Sequence, residues 1–458
     1  MNEFHALLAA YAVAGTAIAL YARKLGVKDH VDFFIAGRNV SGVISALTYA
    51  ATTYSAFMMV GLVGYTYASG VGAAAFELFY LVGTLFLLST FARKIWQIAK
   101  DYEIVSPAEL IGHFHGRSAA IAAALVSLIA LIPYTSIQII GVSLLLEKTG
   151  ITYTSAVFVT TALVVLWALI GGLRGVAWTD AVQGGVMLFA AVAAVLWVYQ
   201  WGFSDVSFIS EVERLGELLV VPNSFWTPAK FAGLTVPWFF FALTNPQVVQ
   251  RLFIPKDSNA LRKMILLFGG FGLIYTVLVT FLGLELRTLT EIGKFPLVSN
   301  ADAVTPTLLT LMPGWLFLLV AFSILAAAIT TANSIVLALS SIVSRDIAGE
   351  KGLAVGQVAV LGISMAVAVF ALMRPGYIVE LAVLSSTILL SLLPPTLAIL
   401  GVLPLGRRAG AITILMGTFT AIMLMALHIT PAGIPASLWV LFVSLAIYTA
   451  LTFKQRSR

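Results

Sequence analysis

The chain contains no cysteine. A disulfide, a thiolate metal site and a cysteine nucleophile are therefore all excluded. Charge is nearly as scarce. Only 10% of the 458 residues are Asp, Glu, Lys or Arg, where a soluble globular chain carries roughly a quarter. Polar stretches long enough for a soluble domain are missing too; the widest gap between apolar runs, about 201–229, has the length of a loop. What is abundant is hydrocarbon. With 60% hydrophobic residues and a mean hydropathy of +1.02, the composition is that of a polytopic all-α membrane protein forming one integral domain over residues 1–458. The five histidines, His5, His30, His113, His115 and His428, fall at run ends or in loops, and "HFH" at 113–115 reads as part of a solvated loop. No histidine–acid pair or nucleophile motif lies inside an apolar run, which argues against a membrane enzyme.

A spanning helix needs roughly 20 apolar residues. About thirteen such runs occur, near 4–22, 42–68, 72–96, 118–146, 152–172, 178–200, 230–246, 262–286, 314–343, 353–373, 377–401, 409–428 and 434–453. The first opens on "MNEF" and is followed, not preceded, by Arg23 and Lys24, so it reads as a retained preliminary helix rather than a signal peptide. With thirteen spans and the N-terminus outside, twenty of the 26 Lys and Arg residues fall on the inner side. This bias is the positive-inside pattern and places the C-terminus inside, in the cell membrane. The net charge of +6 is thus a topology signal and not a nucleic-acid footprint.

Two runs are interrupted. The second, "SALTYAATTYSAFMMVGLVGYTYASG" at 45–70, is rich in small and hydroxyl residues. The seventh, "FAGLTVPWFFFALTNPQVVQR" at 231–251, holds Pro237, where a helix break is expected, and Asn245-Pro246. They lie five spans apart. Paired interrupted helices at corresponding places in two halves point to a transporter with inverted repeats, here about 42–200 and 230–401, followed by two additional helices over 409–453.

The ninth run gathers oxygens where each is costly. In "AAAITTANS", residues 326–334, Ala327, Thr330, Thr331 and Ser334 share one helical face, with Asn333 beside it. The small residues at 326–328 let another backbone come close. Such a stripe can either bond back to its own helix carbonyls or replace part of the hydration shell of a small cation. In the second reading, carbonyls from a loosened turn at Ala51 to Tyr54 face it from the second run.

Several strings together resemble the sodium:solute symporter family: "DFFIAGR" at 32–38, "GGLRGVAWTDAVQG" at 171–184, "NPQVVQRLFIPKD" at 245–257 and "AAAITTANSIVLALSSIVSRDI" at 326–347. The resemblance implies a LeuT-like fold of two inverted five-helix repeats and Na+-coupled import of a small organic solute. It implies a main sodium site at Ala51, Tyr54, Ala327, Thr330 and Thr331. A second sodium site would fall on Asp180, Thr330, Asn333 and Ser334, where Asn333 departs from a more usual serine. Asp180 is also explicable as a helix-end carboxylate or a partner of Arg174. Thr53 stands where some members carry an aspartate.

Intramembrane acids are usually functional. Glu77 is the clearest, followed by Glu380. Glu77 matches a sugar-contacting glutamate in one branch of the family and is read as pocket-lining. Thr53, Ser55 and Met58 face the same cavity, with Tyr134 and Gln138 on one face four residues apart, and Trp238, Phe239 and Phe240 as apolar walls. No arginine is expected deep in a span, which suits a proline-, pantothenate- or monocarboxylate-like solute held by hydroxyls and sodium, or a neutral one. Proton coupling through Glu77 or Asp180 is the alternative.

Overall fold

The computed structural model describes residues 2–24, 29–147, 150–349, 352–373 and 378–456, and they are helical with no strand. The helices are α1 (Asn2–Lys24), α2 (His30–Ile35), α3 (Gly42–Thr53), α4 (Val63–Ser69), α5 (Val71–Asp101), α6 (Pro107–His115) and α7 (Arg117–Glu147). They continue with α8 (Tyr153–Gly202), α9 (Phe208–Val212), α10 (Pro228–Phe239), α11 (Phe241–Thr244), α12 (Pro246–Arg251) and α13 (Ser258–Glu291). The remainder are α14 (Val304–Leu309), α15 (Gly314–Ile342), α16 (Leu353–Leu372), α17 (Ile378–Leu389), α18 (Leu393–Ile399), α19 (Ala409–Ala426) and α20 (Ala436–Arg456). Among the described residues, ten helices are long and apolar enough to cross a membrane, and α3 with the segment Phe57–Ser69, bent by 52°, makes an eleventh candidate. Large apolar side chains such as Phe79, Phe86, Leu266, Leu273 and Phe419 face outward. In water such a surface would aggregate; against lipid it is at home. The chain is a multi-pass membrane protein.

At the centre stands α15. Every residue from Ser323 to Ile342 is buried, which is why this helix is apolar all round. It packs against α8, α7, α16 and α3. Alanines in its middle keep those neighbours close.

α8 runs for 50 residues but turns at Gly172, whose φ of 52° and ψ of −154° no other residue type adopts readily. The turn divides it between the fifth and sixth apolar runs. α2 packs on α8 there, and Arg174 pairs with Asp32 and donates to the Ala36 carbonyl. Arg174 therefore does not serve Asp180, one of the roles open to that acid from sequence. Next to α2, Val40 forms an isolated parallel bridge with Pro255, its N–H donating to the Ile254 carbonyl and its own carbonyl accepting from Lys256. This pins the lead into α3 onto the chain leaving α12.

Two sequence expectations shift. The break expected near Pro237 comes just after it, not at the proline itself. α10 continues to Phe239, and the chain breaks at Phe240 and again at Asn245. Proline removes the donor that would satisfy the carbonyl four residues earlier, Gly233; that carbonyl instead accepts from the Ser437 hydroxyl of α20 at 2.6 Å. His115 is not solvated. It is buried, with Nδ1 3.1 Å from the Gly406 carbonyl and Nε2 3.1 Å from the Pro395 carbonyl. Burial pushes its pKa down, opposed by the two carbonyls. No cluster of metal-binding His, Asp or Glu side chains occurs among the described residues.

Candidate cation and solute site

The second apolar run breaks at Tyr54 and Ser55. α3 ends at Thr53, Tyr54 adopts φ −92° and ψ 86°, and a π-helical turn over Phe57–Leu62 restarts the segment. Breaking a helix strands the carbonyls of its last turn. One of these, Ala51, meets α15. The Thr330 hydroxyl lies 3.1 Å and the Thr331 hydroxyl 3.2 Å from the Ala51 carbonyl, and Thr330 lies 2.9 Å from the Ala327 carbonyl. Ala51, Ala327, Thr330 and Thr331 are all fully buried. Four neutral hard oxygens from two helices thus converge in a dry place, the donor set that suits a small alkali cation. Tyr54 completes the break, but its ring points away, stacking on Phe268 and Phe271 and touching Tyr80 and Tyr275 edge-on.

A second polar cluster lies one turn along both helices. Ser334 follows Thr330 by four residues, and its hydroxyl is 2.8 Å from that of Thr52. Asp180 of α8 is fully buried and accepts from the Thr48 hydroxyl at 2.6 Å. Between them lies a side chain that the sequence reading placed in a loop. Arg251, the last residue of α12, has no exposed surface. Its Nη2 donates to Ser334 at 2.5 Å, its Nε donates to Thr48 at 3.1 Å, and Asp180 Oδ2 is 3.9 Å away. The expectation that no arginine reaches the interior is corrected. Asn245-Pro246 starts α12 instead of ending a span, proline being well placed at the first helical position. That short helix carries Arg251 back into the bundle. Asn333 is buried beside the cluster with an unpartnered Oδ1.

On the other side of the break, Thr53, Ser55, Met58, Glu77, Tyr134, Gln138 and Trp238 are all buried. The Tyr134 hydroxyl faces Ser55, and Glu77 lies close enough to act electrostatically on Tyr54, Tyr80 and Tyr134. Trp238 packs on Phe57, Tyr80, Phe76 and Phe241. Phe239 turns the other way, onto Gly83 and Phe240. Glu77 Oε2, Thr53 Oγ1, Gln138 Oε1 and Trp238 Nε1 are buried without a hydrogen-bond partner among the described residues. A groove of about 230 Å³ lined by Tyr11, Gly15, Thr179, Gln183 and Phe322 holds none of these residues.

The sodium:solute symporter family model matches residues 33–350. The chain belongs to this family. As a sodium:solute symporter family member it is similar to the sodium/pantothenate symporter of Haemophilus influenzae, 25% identical over 305 residues, covering 65% of this chain and 61% of that one. It is also similar to the sodium/pantothenate symporter of Escherichia coli, 26% identical over 267 residues, covering 57% and 55%. The chain thus spans about three-fifths or less of the length of these curated relatives. The structure of a Na+-coupled sialic acid symporter, in a substrate-bound outward-open state, superposes with a TM-score of 0.84 over 98% of both chains at 18% identity. The two share a fold.

Arg251 and Glu285 are among the buried ionic side chains that sequence reasoning missed in this family member. Arg251 was hidden by its neighbours Lys256, Arg262 and Lys263, which resemble a cytosolic loop. Glu285 is fully buried in α13, with both carboxylate oxygens unpartnered among the described residues. It stands two residues from Arg287, and so passed for the charged end of a span. Its signal was the apolar context "FLGLELR" at 281–287. The side chain of Glu380 lies outside the described residues.

Proposed function

We propose that this family member is a sodium-coupled symporter that imports a small organic solute across the plasma membrane by alternating access. The observation that carries the proposal is the meeting of the Thr330 and Thr331 hydroxyls with the Ala51 carbonyl at the break in α3. Sodium held there, with the Tyr54 carbonyl as a further ligand, ties the broken segment to α15. That tie favours the conformation in which Thr53, Ser55, Met58, Glu77, Tyr134 and Gln138 form the solute pocket, with Trp238 as its wall; Phe239, turned onto Gly83 and Phe240, is left out of it. The driving force suffices. A tenfold sodium gradient supplies about 1.4 kcal/mol, and one charge crossing 100 mV adds about 2.3 kcal/mol. Together they concentrate a neutral solute several-hundred-fold.

The same reading takes α3 to α8 and α10 to α18 as inverted five-helix repeats of LeuT type. The two limbs of α8 and the broken α10–α12 segment bring the crossings to thirteen, N-terminus outside and C-terminus inside. The solute class is the one the family resemblance implies: pantothenate, which the relatives' printed names carry, an amino acid such as proline, or a monocarboxylate.

The test is a thermal-stability screen of the purified chain against these solutes and sugars, in sodium and in choline. A solute that stabilises only in sodium is the expected result. Stabilisation that ignores sodium and follows pH points to proton coupling and overturns the proposal. With that solute in hand, Glu77→Gln is expected to weaken its Kd about tenfold or more, the size of a lost hydrogen bond to a charged group. The sodium half-saturation should stay put. An unchanged Kd removes Glu77 from the pocket.

A further inference from the structure

The cluster around Arg251 has the makings of a second cation site, yet it already contains a cation. Thr48 donates its hydroxyl to Asp180 and accepts from Arg251 Nε, so one hydroxyl joins carboxylate and guanidinium. Ser334 accepts from Arg251 Nη2 and is joined to Thr52. Thr48, Thr52, Asp180, Arg251 and Ser334 are all buried. Asp180 and Arg251 are each other's one strong charged neighbour among the described residues. Relative to the main oxygens, Thr48 precedes Ala51 by three residues and Ser334 follows Thr330 by four. The residues that hold the guanidinium therefore lie one helical turn, about 5 Å of rise, along α3 and α15 from Ala51 and Thr330.

One buried carboxylate neutralises one buried cation. A sodium ion entering beside Asp180 would share it with Arg251, leaving two positive charges around one negative in a medium that screens poorly. It would also compete for Ser334, whose hydroxyl the guanidinium already holds. Arginine keeps its charge at any accessible pH, so deprotonation offers no escape.

We propose that Arg251 is the resident, tethered cation of this second position, and that the chain consequently binds a single sodium ion, at Ala51, Ala327, Thr330 and Thr331. Of the residues implied for a second sodium site, Asp180 and Ser334 serve the guanidinium instead. Arg251 is thus the positioning residue that sets ion stoichiometry. The inference rests on the sodium-coupled reading and is separable from it.

Equilibrium binding of radioactive sodium to the purified full chain, with no solute present, tests it. The wild type and Arg251→Lys, which keeps a cation, are expected to bind one sodium per chain. Arg251→Gln, which leaves Asp180 unneutralised, is expected to bind two. Adding Asp180→Asn to Arg251→Gln removes the site's negative charge and should return the count to one. Two sodium ions on the wild type overturn this inference while leaving sodium coupling intact, as does a folded Arg251→Gln chain that binds one. No sodium on the wild type overturns both. If Arg251→Gln fails to fold, the wild-type and Arg251→Lys counts still decide: one supports the inference and two refutes it.

Discussion

Alanine at both Thr330 and Thr331 is expected to remove the sodium response of the protein while leaving it folded. Each hydroxyl lies within 3.2 Å of the Ala51 carbonyl, in a region with no exposed surface. In that setting water cannot replace a missing ligand. Losing a polar contact to a charged partner costs about 1.5–3 kcal/mol, so each single substitution weakens sodium about tenfold to hundredfold. The pair together should weaken it about a thousandfold or more. The readout is melting temperature in sodium chloride against choline chloride. Binding to the folded state stabilises by roughly 2.7 kcal/mol at a concentration a hundred times Kd, and that increment should vanish in the double variant. The melting temperature in choline falls too, because the buried Ala51 carbonyl loses its two donors; the sodium response is the difference between the two salts. Serine at both positions keeps the oxygens and should keep most of the increment. A double alanine variant that retains the full sodium-dependent rise would show that these oxygens merely hold α3 to α15.

That result would bear on a site whose two halves differed in legibility. The α15 half could be read directly, because hydroxyls at helical spacing beside three alanines are a local pattern. The α3 half was readable as a break, and Tyr54–Ser55 is where small and hydroxyl residues cluster. The Arg251 cluster was not readable, because burial of that side chain depends on α12 folding back from Asn245-Pro246. Asn245-Pro246 marks a helix start but not the direction it takes; the partners Thr48, Asp180 and Ser334 lie 203, 71 and 83 positions away. The break expected near Pro237 falls a little later, at Phe240, for a related reason. A serine in α20 satisfies the carbonyl that proline orphans, and no local rule foresees a partner that distant. His115 repeats the lesson, since the carbonyls of Gly406 and Pro395 make burial tolerable for it. Local pattern specifies which helices form and which carry oxygens. Long-range pairing decides which polar groups end up inside.

A large loss of fold is expected from one methyl group. At Gly172 the backbone sits at φ 52° and ψ −154°, a region essentially reserved for glycine. A Cβ there would lie 2.6 Å from the Phe33 carbonyl oxygen and 2.9 Å from the Phe33 ring. Phe33 is fully buried in α2 and has nowhere to retreat. Gly172→Ala therefore combines backbone strain of about 1–3 kcal/mol with overpacking of about 1–3 kcal/mol. Gly175→Ala is the matched control. It lies on the same helix, where a Cβ meets Ala19 at an ordinary 3.5 Å, and alanine gains up to about 1 kcal/mol in helix propensity. The first variant is expected to melt well below wild type or to aggregate on purification, and the second to melt at or above it. The consequence reaches the site. α2 lies against the Gly172 turn, and the Val40–Pro255 bridge just after it fixes the entry to α3 against the exit from α12. Pushing α2 off α8 loosens both ends of that clamp, and with them the alignment of Ala51 on Thr330 and of Arg251 on Asp180. Folded Gly172→Ala protein, if recovered, should therefore show a sodium response weakened along with its stability. Wild-type melting in Gly172→Ala, or equal damage from Gly175→Ala, would mean that the turn is not what holds α2 in place.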